Sequence, residues 1–151
     1  MENVMTAITA KLYEKDFFAW TQQQAMLIKS NALDKLDMVH LLEEVESMGA
    51  SERNELINRF EILLGHLLKW KFQPTHRGNS WEYTIIEQRD KIKDHIAENP
   101  SLKSHLDAAF TKGYKYGMLL AAKESKLSRK AFPLKCEWTI KQVLDDEFFP
   151  N

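Results

Sequence analysis

Apolar residues recur along the chain with the 3.6-residue period of an α-helix, and no stretch shows the period-two alternation typical of a strand. A helical wheel drawn at 100° per residue predicts five long helices and one short C-terminal helix. The long helices are predicted at residues 13–30, 37–49, 51–73, 80–98 and 101–125. We therefore expect an all-α fold, an antiparallel bundle of about five long helices with a short docked C-terminal helix.

Each predicted helix has one apolar face, which we expect to point into the core. In the second helix the members of this face are Met38, Leu41, Leu42, Val45 and Met48. The fifth helix carries a line of small residues that includes Gly113 and Gly117. A glycine inside a helix costs about 1 kcal/mol relative to alanine, so this line predicts that a neighbouring helix approaches closely.

Local signals mark several helix ends. Asp37 is a predicted N-cap at the start of the second helix, and Gly49 is a predicted stop at its end. Near the C-terminus, Thr139 is followed three residues later by Gln142, which is the spacing of a capping box. A short helix is therefore predicted directly after Thr139.

The chain shows no repeat, linker or low-complexity segment that would divide it. We expect a single helical domain over residues 1–151, with a loosely ordered N-terminus at 1–12 and a basic connector at 126–138. Trp138 and Phe148 flank the short C-terminal helix and are expected to dock it.

Composition narrows the possible functions. The 21 Lys and Arg residues nearly balance the 22 Asp and Glu residues, so no global field steers the chain to nucleic acid or to an anionic membrane. The single cysteine forms no internal disulfide. The N-terminus lacks the pattern of a signal peptide, and no apolar run reaches the roughly 18 residues of a membrane span. We expect a cytoplasmic protein.

Several polar residues occupy predicted core-facing positions. Gln24 lies on the apolar stripe of the first helix, Gln88 and Arg89 interrupt that of the fourth, and Glu44 flanks that of the second. A buried guanidinium needs a partner, and Glu44 is the predicted carboxylate for Arg89.

These positions predict a polar cluster between helices. Its predicted members are Gln24, Glu44, His66, Gln88 and Arg89, walled by Trp20, Trp70 and Trp81. The cluster has two interpretations, a ligand pocket with a few convergent polar groups or a buried network that fixes how the helices pack.

The sequence supports metal binding and catalysis less well than it supports the polar cluster. Asp37, His40 and Glu44 share a helix flank at i, i+3, i+7 spacing, which suits three ligands of a divalent ion. The patterns HExxH and Glu-x-x-His are absent, so we favour a solvated helix edge and predict no cofactor. Cys136 is the only thiol and could serve as a nucleophile, but we favour a packing role beside Trp138 and predict no catalytic residue.

Two basic runs raise the possibility of nucleic-acid binding. Their members are Lys123, Lys126, Arg129, Lys130 and Lys135 in one, and Lys69, Lys71, His76 and Arg77 around Trp70 and Phe72 in the other. The neutral charge balance and the lack of a helix-turn-helix favour solvated helix ends instead, so we do not expect nucleic acid as a partner.

Several spaced strings resemble one family across nearly the whole chain, from Tyr13 to Pro150. They are Tyr13-Glu14-Lys15-Asp16-Phe17 with Trp20, Leu42 to Gly49, His66 to Trp70, Gln73-Pro74, Ser80-Trp81, Glu87-Gln88-Arg89, Phe132-Pro133, Cys136, Trp138-Thr139 and Phe148. Together they resemble the bacterial family known as "domain of unknown function 29", common in cyanobacteria and proteobacteria. The resemblance implies an all-helical fold and no particular activity.

The function itself is not specified by these patterns. We favour a non-enzymatic interaction or regulatory protein with a protein partner or as a homodimer, because aromatic residues, 11% of the chain, are enriched at interfaces. The alternatives are a bundle that binds a small molecule or metal through the polar cluster, and a nucleic-acid-associated accessory protein.

Overall fold

The computed structural model describes the backbone of residues 4–151 and the side chains of residues 8, 9 and 11–151. Within these residues the fold is all-α, with six α-helices, four short 3-10 turns and no strand. The α-helices are α1 (Val4–Lys15), α2 (Phe17–Lys29), α3 (Met38–Phe72), α4 (Asn79–Glu98), α5 (Leu106–Ser125) and α6 (Ile140–Val143). The predicted fold class is confirmed, although several predicted helix ends were wrong.

The first predicted helix is two helices that meet at Asp16. The Asp16 carboxylate accepts a hydrogen bond from the Ala19 backbone N–H at 3.0 Å and so caps the start of α2. The wheel did not show this break because the apolar stripe continues across it. Helix α1 begins at Val4, nine residues before the predicted start, and residues 1–3 lie outside the described residues, so the loosely ordered N-terminus at 1–12 stays a prediction.

The second and third predicted helices form one continuous helix, the 35-residue α3. Gly49 was predicted to end the second helix, but a glycine ends a helix by adopting a left-handed conformation. No described glycine has a positive φ, and α3 continues through Gly49 without interruption.

The chain divides into two compact units, Met1–Ala50 and Ser51–Asn151, hereafter the N-terminal and C-terminal units. Helix α3 begins in the first unit and ends in the second. The single domain expected from the sequence stays a prediction. Within the described residues, no helix combines the length and apolar content needed to span a membrane.

The C-terminal unit has an apolar core in which α5 lies directly against α3. A Cβ atom added to Gly113 would be 2.5 Å from the Phe60 Cβ, and one added to Gly117 would be 2.8 Å from the Glu61 carbonyl oxygen. The predicted close approach of a neighbouring helix to this line is confirmed, since no larger residue fits without a shift of α3 or α5.

The chain end after α5 packs onto the same core. The predicted capping box is confirmed, because the Thr139 side chain accepts from Gln142 N–H and the Gln142 side chain accepts from Thr139 N–H. Val143 in α6 is fully buried, and the rings of Trp138 and Phe148 meet edge to face at 5.8 Å. These contacts hold the short helix as predicted.

Candidate functional site

In the N-terminal unit, the polar flank of α3 faces inward. The Asp37 carboxylate accepts hydrogen bonds from the Trp20 indole at 3.0 Å and from the His40 ring at 2.6 Å. Its other oxygen accepts from the His40 backbone N–H, which confirms the predicted N-cap. The Asp37 backbone N–H donates to the side-chain oxygen of buried Gln24 at 2.9 Å. These bonds tie α2 to the start of α3.

A second pair of contacts ties α1 to the same flank. The Tyr13 hydroxyl donates to Glu44, and the Tyr13 ring stacks on the His40 ring with centroids 3.9 Å apart. The hydrogen bond to Glu44 raises the pKa of Tyr13 to about 12, because deprotonation would break the bond and place two negative charges together. Tyr13 therefore stays protonated at every physiological pH.

The predicted metal-ligand triad is thus occupied by hydrogen bonds. Asp37 and His40 bind each other, and Glu44 accepts from Tyr13, so the expectation of a solvated helix edge was wrong. In the described part of the chain, the group whose possible ligand atoms lie within 4.8 Å of one another is a different one, Glu52, Glu55 and His95. The His95 ring there donates to the Glu52 carbonyl at 2.9 Å, which accounts for its position without an ion.

The apolar face at the start of α3 points into solvent, and the prediction that it faces the core was wrong. Four of its five predicted members, Met38, Leu42, Val45 and Met48, are exposed and are hereafter the α3 stripe, whereas the fifth, Leu41, is half-buried. The stripe residues are between 57% and 65% exposed, although they fall within about 120° of the helical wheel. The physical reason is that Tyr13 and Trp20 donate hydrogen bonds to Glu44 and Asp37. The polar flank of α3 therefore packs against α1 and α2, and the apolar side is left outside.

Exposed apolar side chains extend over the rest of this unit. Among the described side chains of residues 8–50, eleven large apolar ones are exposed, and the seven outside the α3 stripe are Ile8, Phe17, Phe18, Met26, Ile28, Leu33 and Val39. Gly49 lies beside the stripe, and a Cβ atom added there would meet nothing within 4 Å. The three buried glycines of the C-terminal unit are all in close contact, so Gly49 alone among these four helical glycines has no packing reason within the chain.

Arg89 of α4 is fully buried, as predicted, but the predicted pairing with Glu44 was wrong. Its guanidinium donates to the backbone carbonyls of Val143, Asp146 and Phe148 in the C-terminal segment. Burial lowers the pKa of Arg89, and the nearby carboxylates of Asp145 and Asp146 oppose that shift. The guanidinium therefore holds the C-terminal segment against α4 by hydrogen bonds to the backbone carbonyls of that segment.

The other predicted cluster residues of the C-terminal unit also have structural contacts. His66 donates to the Ile62 carbonyl, and burial lowers its pKa, which favours the neutral form of the ring. The Trp70 ring contacts Phe149 at a centroid distance of 5.0 Å, and the Lys69 ammonium lies 4.9 Å from the Trp81 ring centroid. These contacts favour the structural interpretation of the predicted cluster.

Two buried glutamines keep a side-chain polar atom without a hydrogen-bond partner among the described residues. These atoms are Nε2 of Gln24 and Oε1 of Gln88, and each belongs to a residue that is at most 5% exposed. The two residues belong to different units, so each amide is a feature of its own unit.

Three cations of the second predicted basic run, Lys69, Lys71 and Arg77, have partners within the C-terminal unit. Lys69 is buried and pairs with Glu124, while Lys71 pairs with Glu137 at 3.3 Å. Arg77 donates to the Trp70 carbonyl at 2.7 Å and lies over the ring of the same residue. These cations are not available as a phosphate-binding patch.

Because the Asp37 carboxylate accepts hydrogen bonds from Trp20 and His40, we expect the stability of the N-terminal unit to depend on pH. Burial acts to raise the pKa of Asp37, but the hydrogen bonds from His40 and Trp20 outweigh it and lower the pKa below 3.8. A lowered folded-state pKa contributes stability that is present above 3.8 and is lost as the pH falls through the folded value. We expect Asp37→Asn to lower the free energy of unfolding by about 1–2 kcal/mol at pH 7.

Urea unfolding at a series of pH values checks this expectation. The difference between wild type and Asp37→Asn should shrink below pH 4, whereas the exposed Asp34→Asn control should match wild type throughout. A difference that stays constant down to pH 2 would contradict the assigned network.

Comparison with known proteins shows which family the chain belongs to. The model of the family described as "Domain of unknown function DUF29" matches residues 12–149. The chain belongs to this family. No curated protein and no solved structure matches the chain significantly. Family membership confirms the resemblance seen in the sequence and assigns no activity, so the function has to be inferred from the geometry.

The sequence alone did not reveal the exposed α3 stripe as a candidate site. The available signal was the i, i+3, i+7 series Asp37, His40 and Glu44, which borders the stripe on the wheel. Two aromatic residues with polar atoms, Tyr13 and Trp20, lie on the preceding helices and match that series as hydrogen-bond donors.

Proposed function

We propose that this protein is a non-enzymatic interaction protein that forms a homodimer through the α3 stripe. The observation that carries the proposal is that the α3 stripe is exposed, while the polar flank formed by Asp37, His40 and Glu44 is half-buried and hydrogen-bonded. A helix stabilises a soluble protein by burying its apolar face, so the stripe requires a partner surface. We also infer a cytoplasmic location, which the single cysteine supports.

The exposed area is large enough for a stable interface. At roughly 50–60 Å² of exposed apolar surface per side chain, the eleven exposed residues of the N-terminal unit offer about 600 Å². A standard interface buries about 800 Å² per partner, of which somewhat more than half is apolar. The α3 stripe together with part of the remaining exposed surface is therefore sufficient.

The stripe is complementary to itself in an antiparallel arrangement. A two-fold axis between Glu43 and Glu44 places Met38 of one copy opposite Gly49 of the other, and Leu42 opposite Val45. One of the two methionines of the stripe then meets the position that has no side chain, and two branched side chains meet at the centre. This pairing supplies the packing reason that Gly49 lacks within its own chain.

Charged substitutions in the stripe test the dimer. We expect wild type to sediment with about twice the 17.7 kDa chain mass at micromolar concentration. The double variant Leu42→Glu/Val45→Glu should sediment as a monomer with unchanged helix content, since both residues are exposed and glutamate is a good helix former. The matched control is Tyr83→Glu, which alters an exposed aromatic residue of α4 and should stay dimeric.

Gly49 provides a second variant for the same experiment. Gly49→Leu has open space in the isolated chain and should fold, but its side chain blocks the approach of the second copy and should weaken the dimer. A wild-type protein that remains monomeric at all concentrations would refute the dimer. So would a Gly49→Leu variant that associates more tightly than wild type.

A further inference from the structure

The C-terminal unit contains a concave site of about 360 Å³ between α5 and the connector that follows it. The site lies entirely within residues 110–136, so it is separate from the α3 stripe and independent of the proposed dimer. Its volume falls within the range of small-molecule sites in proteins, which is roughly 300–1,000 Å³. The character of its lining therefore indicates what it could bind.

One wall of the site is apolar. Phe110, Tyr114 and Met118 follow one another at four-residue spacing along α5, so they form one face of that helix. The Tyr114 hydroxyl donates to the Pro133 carbonyl, which satisfies its polar atom and leaves the ring as an apolar surface. Cys136 adds a neutral thiol, because burial raises its pKa and keeps it protonated.

The rim of the site is cationic. Lys115, Arg129 and Lys135 line it, all three are exposed, and no described acidic side chain pairs with any of them. The two glutamates nearest along the chain are engaged elsewhere, since Glu124 binds Lys69 and Glu137 binds Lys71. Three unpaired cations at one small site leave a local positive charge in a chain whose overall charge is nearly zero.

Leu134 adds an apolar group without a covering partner. It lines the same site and is 85% exposed, the highest value among the exposed large apolar side chains of the described residues. A ligand that filled the site would give this side chain an apolar surface to contact. The site thus combines an apolar wall, an uncovered aliphatic group and a rim of positive charge.

We propose that this site binds an amphipathic organic anion, with an aliphatic or aromatic body against α5 and a single carboxylate-type head at the cationic rim. The apolar wall supplies affinity for the body, and Arg129 with the two lysines supplies charge-assisted hydrogen bonds to the head. The protonated Cys136 is part of the wall and carries out no chemistry.

Calorimetric titration with octanoate and with uncharged octan-1-ol tests both parts of the site. We expect octanoate to bind with one site per chain, and the triple variant Lys115→Gln/Arg129→Gln/Lys135→Gln to weaken it at least about tenfold. Octan-1-ol should bind more weakly, and the triple variant should leave its affinity unchanged. The matched control Lys29→Gln/Lys103→Gln/Lys141→Gln removes the same charge from exposed positions outside the site and should bind octanoate as wild type does.

A blocking variant tests the location. Thr111 is exposed and lines the site, so Thr111→Trp should fold normally and abolish binding of both compounds. Absence of saturable octanoate binding, equal losses in the two triple variants, or full binding by Thr111→Trp would each overturn the proposal. Binding of a short single-stranded oligonucleotide in place of octanoate would overturn it too and would favour a phosphate-binding surface.

Discussion

Substituting alanine for Arg89 is expected to lower the free energy of unfolding by about 3–5 kcal/mol, one of the two largest effects we expect in this protein. The guanidinium is fully buried and donates to the carbonyls of Val143, Asp146 and Phe148. Each lost bond leaves a carbonyl without its donor, and a hydrogen bond to a charged group is worth about 1.5–3 kcal/mol. The C-terminal segment should become sensitive to protease at the same time.

Lys93 provides a matched control for this experiment. It also joins α4 to the C-terminal segment, through a 2.9 Å contact with the Asp146 carboxylate, but both side chains are largely exposed. An exposed pair contributes at most about 1 kcal/mol, so Lys93→Ala should change urea unfolding only slightly. Equal effects of Lys93→Ala and Arg89→Ala would show that the buried bonds to the carbonyls do not hold the segment.

The second large effect is expected at Gly113. Gly113→Leu should lower the free energy of unfolding by about 3 kcal/mol, the upper end of typical overpacking costs, because even a Cβ atom there would lie 2.5 Å from the Phe60 Cβ. Backbone atoms of α3 lie 3.2 Å from the same point, so a change of side-chain rotamer cannot relieve the overlap. The expected result is an unfolded or loosely packed C-terminal unit in circular dichroism and thermal melts.

Gly49→Leu is the matched control, since it makes the same substitution inside a helix. The position is open, so the gain in helix propensity of up to about 1 kcal/mol should appear as increased stability of the isolated chain. The comparison is made at a concentration where the protein is monomeric, because dimer formation contributes to apparent stability. Normal folding of Gly113→Leu would mean that α5 does not lie against α3 as described.

The sequence predicted those features that depend on short-range pattern. The helical periodicity located every long helix to within a few residues at most ends, although it did not show the break at Asp16 or the continuity of α3 through Gly49. The line containing Gly113 and the capping box of Thr139 were predicted correctly, because a glycine inside a helix and a cap each have a local physical cause.

The candidate sites were predicted less well. Burial of Gln24 and Arg89 was correct, but the partner of Arg89 was wrong because its carbonyl partners lie more than 50 residues further along the chain. Carbonyl groups are present at every residue, so no sequence pattern marks the ones that will accept from a guanidinium. The site beside α5, with its apolar wall and cationic rim, was not predicted either, because α5 and the connector meet only in the folded chain.

By itself, the sequence determined the helical class, the family and the positions of the apolar and polar faces around each helix. Only the tertiary structure decided which face of α3 lies inside. A helical wheel fixes the angles between side chains but not the direction of the core, and both sides of α3 had a possible partner. The donors of Tyr13 and Trp20 bury the flank of Asp37 and Glu44, and the α3 stripe is left facing outward for that reason.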